Sequence, residues 1–386
     1  MSEKKKRKRV VMIGPVYPYK GGIAYNCATM INSLKKRFNV KTVSYKMQYP
    51  KILFHQEQKD YSNSLFRIDD AQFLINTANP LNWITTARKI KKMRPDFIVI
   101  HWWHPYFAPC YGSLSFMLRK IPRIFICHNV FPHEHFPMQR FLAKLALKRG
   151  SAYITHSASD AEDLKLIKKD PIFEAADLPV HNQYNLRHLS MEEGRKEAGI
   201  APEKKVLLFF GFVREYKGLR HIINAMPELV KYDSNIELWV VGEFRDDKES
   251  YTELIRKGGA GDNIKIVDGY IPDSEIEKYF ASCDIVVLPY ESATQSGIVQ
   301  MAYGFDKPVI VTDVGGIPEV VAEGKTGYIV PPKDPHALAE AVRRFYSEGR
   351  AAEMTKYVHA EADRRSWDRM VDTIERLYEK AKSHEG

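Results

Sequence analysis

Three stretches of this sequence place polar or glycine residues where a strand pattern hands over to a helical one, and all three suit the holding of an anion. The apolar run Val206–Phe210 ends in Gly211, and Arg214 and Lys217 follow before Gly218-Leu219 opens the next helical pattern. Two cations at the carboxyl end of a first strand fit a diphosphate. The plain alternative is that they solvate a helix start, but cations there oppose the helix dipole, which favours a bound anion. Thr294-Gln295-Ser296-Gly297 follows the strand pattern 284–289 and opens a short helix over 297–303. Its backbone N–H groups and hydroxyls can face a negative charge. Gly21-Gly22 lies between the strand pattern 10–14 and a helix reaching about Lys36, a junction that brings backbone amides close to a phosphate.

A fourth stretch is more ambiguous. The strand pattern 123–127 ends in His128-Asn129, with His133-Glu134-His135 a few residues on. Adjacent His, Glu and His lack the i,i+4 spacing of a helical metal site. His128 reads equally as a hydrogen-bonded strand-end residue. No Asp-x-Asp motif is present to hold a divalent metal.

The elements that must position these residues alternate strand and helix through two halves. Short continuous apolar runs such as Phe97–Ile100 and Pro308–Thr312 read as strands of parallel sheets buried on both faces. The alternation lapses around 180–184, stays polar through Pro202 and restarts at Val206. A boundary there gives residues 1–185 as a first domain, 186–365 as a second and 366–386 as a final amphipathic helix. The fold class is α/β, with two Rossmann-like doubly wound domains. A length of 386 residues agrees with two cores. The turn Gly269-Tyr270-Ile271-Pro272 follows another strand pattern, and 49–70 is an irregular polar insert.

Composition narrows the class. The apolar fraction of 44% and charged fraction of 27% are those of a globular chain. Half of the net charge of +10 sits in the tail, where Lys4 to Arg9 are six consecutive cations offset by Glu3. A nucleic acid, an anionic membrane or plain solvent would each suit that tail, and no nucleic-acid recognition motif accompanies it. The four cysteines show no C-x-x-C pair and read as reduced core residues of a cytoplasmic protein. No secretory signal pattern opens the chain. The most apolar stretch, 97–118, contains His101, His104, Pro105 and Pro109 and is not a spanning helix.

The stretch from Asp284 to Val330 resembles the donor-binding segment of retaining GT-B glycosyltransferases of family 4, the group 1 enzymes. The matching text is Pro289-Tyr290, Ser296-Gly297-Ile298-Val299, Lys307-Pro308-Val309-Ile310, Gly315-Gly316-Ile317-Pro318-Glu319-Val320 and Gly324…Gly327…Val330. One departure stands out. The family's two glutamates, spaced E-x7-E, fall on Ala293 and Met301, with Glu291 two residues early. Phe212 also fills the position of the family's usual arginine, with Arg214 nearer the lysine.

The resemblance implies the GT-B fold, its two domains facing a cleft and its last helix crossing back to the first domain. It implies transfer of a sugar from a UDP- or GDP-sugar to a hydroxyl of a glycan or lipid-linked acceptor, with retention and with neither metal nor further cofactor. His128, Arg214 and Lys217 take the catalytic roles. The donor side falls to Gly21, Gly22, Gly211, Tyr270, Ile271, Glu291, Thr294, Gln295, Ser296, Gly297 and Ile298. Tyr270 and Ile271 stand where the family turn reads the base, and Gln300 joins Gln295 as a candidate for the ribose. A catalytically inactive nucleotide-sugar-binding protein is the alternative that Ala293 and Met301 raise. Arg140, Lys144, Lys148 and Arg149, with the tail and Trp102, Trp103 and Phe107, suit peripheral association with the inner face of an anionic membrane, and equally a solvated helix face with a solvated terminus.

Overall fold

The computed structural model describes residues 7–54, 57–61, 66–132, 136–245, 247–293 and 295–385. Two compact units emerge: Met1–Asp177 with Trp367–Gly386, and Leu178–Ser366. Each is built around its own parallel sheet.

In the first unit the order is β1 (Arg9–Ile13), α1 (Gly22–Lys35), β2 (Asn39–Met47), β3 (Gln72–Asn76), α2 (Pro80–Lys92) and β4 (Phe97–Trp102). Then come α3 (Ala108–Met117), β5 (Arg123–Cys127), α4 (Gln139–Leu147), β6 (Ala152–Thr155), α5 (Ala158–Ile167) and β7 (Phe173–Ala175). The strands lie in the order β3-β2-β1-β4-β5-β6-β7, so the chain reverses direction across β1 and β4. Apolar side chains of β4 and β5 are fully buried, because helices cover both faces of the sheet. One face packs on α2, α3 and α4 through residues such as Ile100, Phe107 and Leu147. The other packs on α1 and on the closing helix of the chain through Met12, Ile31, Ile374 and Leu377.

Three elements escape the pattern of the sequence. β3 is a short edge strand whose register with β2 shifts twice, so no clean alternation announces it. β7 is a three-residue edge strand. α3 is apolar on nearly every side, and its Pro109 sits in the first turn, where proline costs no hydrogen bond.

The second unit runs α6 (Met191–Ala198), β8 (Lys205–Phe210), α7 (Leu219–Tyr232), β9 (Ile236–Gly242), α8 (Lys248–Gly258), β10 (Ile264–Asp268) and α9 (Asp273–Ser282). It continues with β11 (Ile285–Leu288), α10 (Gly297–Gly304), β12 (Val309–Thr312), β13 (Gly327–Val330), α11 (Pro335–Ser347) and α12 (Ala351–Arg364). Its strand order is β10-β9-β8-β11-β12-β13. α6 carries a capping box from Ser190 and Glu193. After Gly316 the chain makes a single 3₁₀ turn, Pro318–Val320, before β13.

The last helix, α13 (Trp367–Glu385), belongs to the first unit, as the doubly wound reading with a returning helix requires. Its apolar stripe covers the α1 side of the sheet, with Phe97 stacked on Tyr378 at 4.5 Å between ring centroids. Ion pairs then fasten its polar edge: Lys36 to Asp368 at 2.9 Å, Arg37 to Asp372, Lys8 to Glu379, and Glu174 to Arg376 and Lys380.

Candidate active site

In the second unit the carboxyl end of β8 emerges between β9 and β11. The Gly211 N–H donates to the Val241 carbonyl at 2.9 Å, and Val213 and Arg245 continue the pairing beyond the strands. Gly242 has to be a glycine, because a Cβ there would overlap the Gly211 carbonyl. Arg214 then caps a single 3₁₀ turn, Glu215–Lys217. Gly218 reverses the chain into α7 at φ 64°, pressed so close to the Pro289 carbonyl that no side chain fits. The two cations therefore precede the amino end of α7, as their spacing suggests.

That geometry turns the Lys217 side chain inward, leaving the residue 9% exposed. Its Nζ lies 3.3 Å from the point a Cβ on Gly211 would occupy, and Ile298 Cδ1 lies 3.5 Å from the same point. Gly211, Lys217 and Ile298 thus converge on one spot at the strand ends. Tyr290 lies beside them, its ring 5.7 Å from Nζ. Burial, with the Arg214 charge adding to it, pushes the Lys217 ammonium down to about 8. A buried cation this poorly compensated is poised to accept an anion.

Gln295, Ser296 and Gly297 are drawn into the same strand-end layer. Ser296 is buried and caps α10, accepting from the Ile298 N–H at 3.2 Å, while its side chain also bonds Tyr290. Gln295 donates from Nε2 to the Gly316 carbonyl at 3.1 Å, tying this turn to the glycine turn after β12. Thr294 lies outside the described residues. Gln300 and Met301 face inward, at 0% and 6% exposure.

Glu291 is already engaged. Its carboxylate accepts from His221 Nε2 at 2.8 Å and from Lys333 Nζ at 3.0 Å. Burial opposes its charge, yet those two partners hold the carboxyl below the usual range. Tyr270 and Ile271 sit in the turn after β10, the edge strand two places from β8.

In the first unit, Gly21 caps α1 at φ 106° and Gly22 is its first residue. Apart from its own chain neighbours and helix backbone, nothing comes within 4 Å of the point where a side chain on either would begin, so space is open beside both glycines. His128 extends β5, its N–H donating to the Trp102 carbonyl at 2.9 Å. Its Nε2 is 2.8 Å from Nδ1 of His101 on β4, and the two rings stack at 5.1 Å. His156, beyond β6, brings its ring to 5.5 Å on the other side and bonds the Ala176 carbonyl. Burial first, and His156 second, lower His101 to about 3, and burial lowers His156 as well. The ladder is therefore neutral at those two rings. His133, Glu134 and His135 lie outside the described residues.

Several contributors have no signature in the sequence. His221 and Lys333 around Glu291, His101 and His156 around His128, and Tyr290 beside Lys217 meet only through the fold. Arg245 places its guanidinium 4.4 Å over the Phe212 ring, where the resemblance leads one to expect an arginine. It also pairs with Glu243 at 2.8 Å.

Comparison with known proteins bears on the family and the fold. Residues 190–365 match the family model for glycosyl transferases group 1, and residues 21–172 match that for Glycosyltransferase Family 4. The putative teichuronic acid biosynthesis glycosyltransferase TuaC of Bacillus subtilis is 27% identical over 276 residues, covering 69% of this chain and 65% of that protein. An uncharacterized glycosyltransferase of Methanocaldococcus jannaschii is 30% identical over 167 residues, 42% of this chain and 41% of that one. The chain thus spans between about two fifths and two thirds of the length of these curated relatives. Among solved structures, Anabaena HepE in complex with UDP-glucose superposes with a TM-score of 0.74 at 18% identity, covering 97% of this chain and 99% of that one. Sucrose-phosphate synthase from Thermosynechococcus elongatus superposes at 0.72 and 17%, covering 98% and 100%. Two family models that between them take in most of both units, over a fold shared with such structures, support a group 1 glycosyltransferase of the GT-B fold.

Proposed function

We propose that this protein transfers a sugar from a nucleotide-sugar, a UDP- or GDP-sugar, to a hydroxyl of a glycan or lipid-linked acceptor in cell-surface polysaccharide or glycolipid assembly. The observation that carries the reading is the buried Lys217 beside Arg214, converging with Gly211 and Ile298 at the strand ends of the second unit. Breaking a glycosyl–diphosphate bond builds negative charge on the departing phosphate, and fixed cations aimed at it lower the barrier. A dianionic diphosphate also supplies the counter-charge that burial denies Lys217. The reaction is retaining and needs no metal: the two cations do the neutralising, and the sequence has no Asp-x-Asp motif. His128 acts at the donor sugar and Gly21-Gly22 at the diphosphate. TuaC, a relative in teichuronic acid biosynthesis, supports the polysaccharide role. The enzyme works in the cytoplasm at the inner face of the membrane.

The test is a panel of nucleotide-sugars scored first by thermal stabilisation and then by transfer of labelled sugar to lipid-linked or glycan acceptors. A donor that stabilises the protein and is consumed only with acceptor supports the reading. No stabilisation by any member of the panel overturns it.

A second reading, a protein that binds a nucleotide-sugar without transferring it, is favoured by one observation. Ala293 and Met301 replace the glutamate pair, and Glu291, the nearest carboxylate, is already held by His221 and Lys333. Stabilisation by a donor that no acceptor consumes would select it.

A further inference from the structure

The outer helices of the first unit carry an unusual division of side chains. Between Pro80 and Arg94, between Pro105 and Arg123, and between Phe136 and Arg149 there is no Asp or Glu. These segments contain α2, α3 and α4, and α3 packs against both of the others. Each exposes apolar residues on this face: Leu81 and Ile84 near the start of α2, Phe141 near the start of α4 and Phe116 at the end of α3, at 75%, 40%, 60% and 51% exposure. Each then ends in exposed cations: Arg88 and Lys91, Arg119 and Lys120, Lys148 and Arg149.

Helical spacing makes this one face on each helix. Leu81, Ile84 and Arg88 follow i, i+3, i+7, while Phe141, Leu145 and Arg149 follow i, i+4, i+8. Between the helices runs a groove of ≈ 630 Å³, lined by Trp83, Ile84, Phe116, Met117, Leu145 and Arg149 among others. Arg119 and Arg149 lay their guanidinium groups over Phe116, at 5.0 and 5.3 Å from the ring centroid. Among the described residues, none of the six cations forms an ion pair. Arg140, at the start of α4, differs, because it faces Asp163 of α5.

We propose that this α2–α3–α4 face docks on an anionic lipid bilayer, its apolar side chains entering the interface while the cations meet the headgroups. Charge of a single sign, with no carboxylate interspersed, complements a diffuse anionic surface. Lysine is depleted at protein–protein contacts but contributes near anionic lipid. Long cationic side chains reach headgroups from beside a buried apolar stripe. The cationic tail is not required. Lys8 is engaged by Glu379 on the opposite, α1–α13 side of the sheet, and the Arg9 N–H by Asp96.

The experiment is flotation of the full chain with vesicles of phosphatidylcholine alone or with about a third phosphatidylglycerol. Binding is expected only to the anionic vesicles, weakening as salt rises. Reversing four charges, in Arg119→Glu, Lys120→Glu, Lys148→Glu and Arg149→Glu together, is expected to lower partitioning by at least about a hundredfold. Phe116→Ser, which leaves every charge in place, lowers it less. Lys36→Glu with Arg37→Glu, on the α1 side, leaves it unchanged. Equal binding to neutral vesicles, or wild-type binding by the fourfold variant, overturns the proposal. So does loss of binding on neutralising Lys4–Lys6 alone, or retention by an acidic polypeptide with none by vesicles. Donor stabilisation measured on the same variants keeps the outcome separate from the transferase reading, since none of these residues belongs to the strand-end site.

Discussion

The ends of β5 and β8 occupy comparable places, each a loop at the carboxyl end of a parallel strand in the middle of its sheet. They handle buried polarity in opposite ways. At β5 three imidazoles pack ring against ring, and burial keeps His101 and His156 uncharged. At β8 the Lys217 ammonium is buried beside the Arg214 guanidinium, and burial and that like charge both work against it. The first arrangement calls for no counter-charge. The second would be eased by a partner of opposite charge, and that difference is what the proposed diphosphate site rests on.

The largest effect is expected at Lys217. Its folded value of about 8 against an unfolded 10.5 means the unfolded chain binds more protons between those limits, so stability rises with pH across that window. At neutral pH the buried ammonium therefore costs roughly 3 kcal/mol. Lys217→Met should raise the melting temperature of the ligand-free protein while lowering turnover by about 10²–10³. Arg214→Ala should also lower turnover, and should bring Lys217 closer to its ordinary value by removing a neighbouring like charge. Near-normal turnover in either variant would erase the contrast between the two strand ends.

The neutral histidines give the same sign in a different window. His101 is lowered to about 3, and His181, buried in the second unit, to about 4, from 6.5. The unfolded chain then binds more protons below pH 6.5, so stability is full above that value and is lost as pH falls toward 4. His181 alone accounts for roughly 3 kcal/mol of that loss. Melting curves from pH 7.5 to 4.5 check it, and His181→Gln should flatten the decline. An equally steep decline in the variant would show that burial of this ring is not what sets acid stability.

A smaller effect is expected at Gln295 and Ser296, ahead of α10. Ser296→Ala removes the α10 cap and should cost about 0.5–2 kcal/mol of stability. Gln295→Ala cuts the link to Gly316 and should raise the donor KM at nearly unchanged stability. Unchanged donor affinity in both variants would confine the site to Gly211, Arg214 and Lys217. The smallest expected effect is none. Chelation with EDTA should leave the rate intact, and activity restored by Mg²⁺ or Mn²⁺ after its loss would show that the cations at β8 do not suffice.

Much of this molecule is written locally. Short continuous apolar runs bounded by turn residues read as strands covered on both faces, and the glycines and cations that follow them mark the loops at their ends. Val206–Lys217 and Ile285–Gly297 disclose strand, turn and helix start because each depends on near neighbours in the chain. The two doubly wound halves follow from that alternation alone. What depends on residues far apart in sequence could not be read. β3 and β7 are held by pairing to a neighbour and not by their own pattern. Glu291 stands two residues from a family glutamate position, but only the fold brings His221, seventy residues away, and Lys333 to its carboxylate. Lys217 was legible as a cation near a diphosphate, but not as a buried one. Desolvation is a property of the packed surroundings, and those are supplied by Gly211, Tyr290 and Ile298 from three separate segments. The sequence determines which groups stand at the strand ends, and only the tertiary structure decides which of them keep their charge.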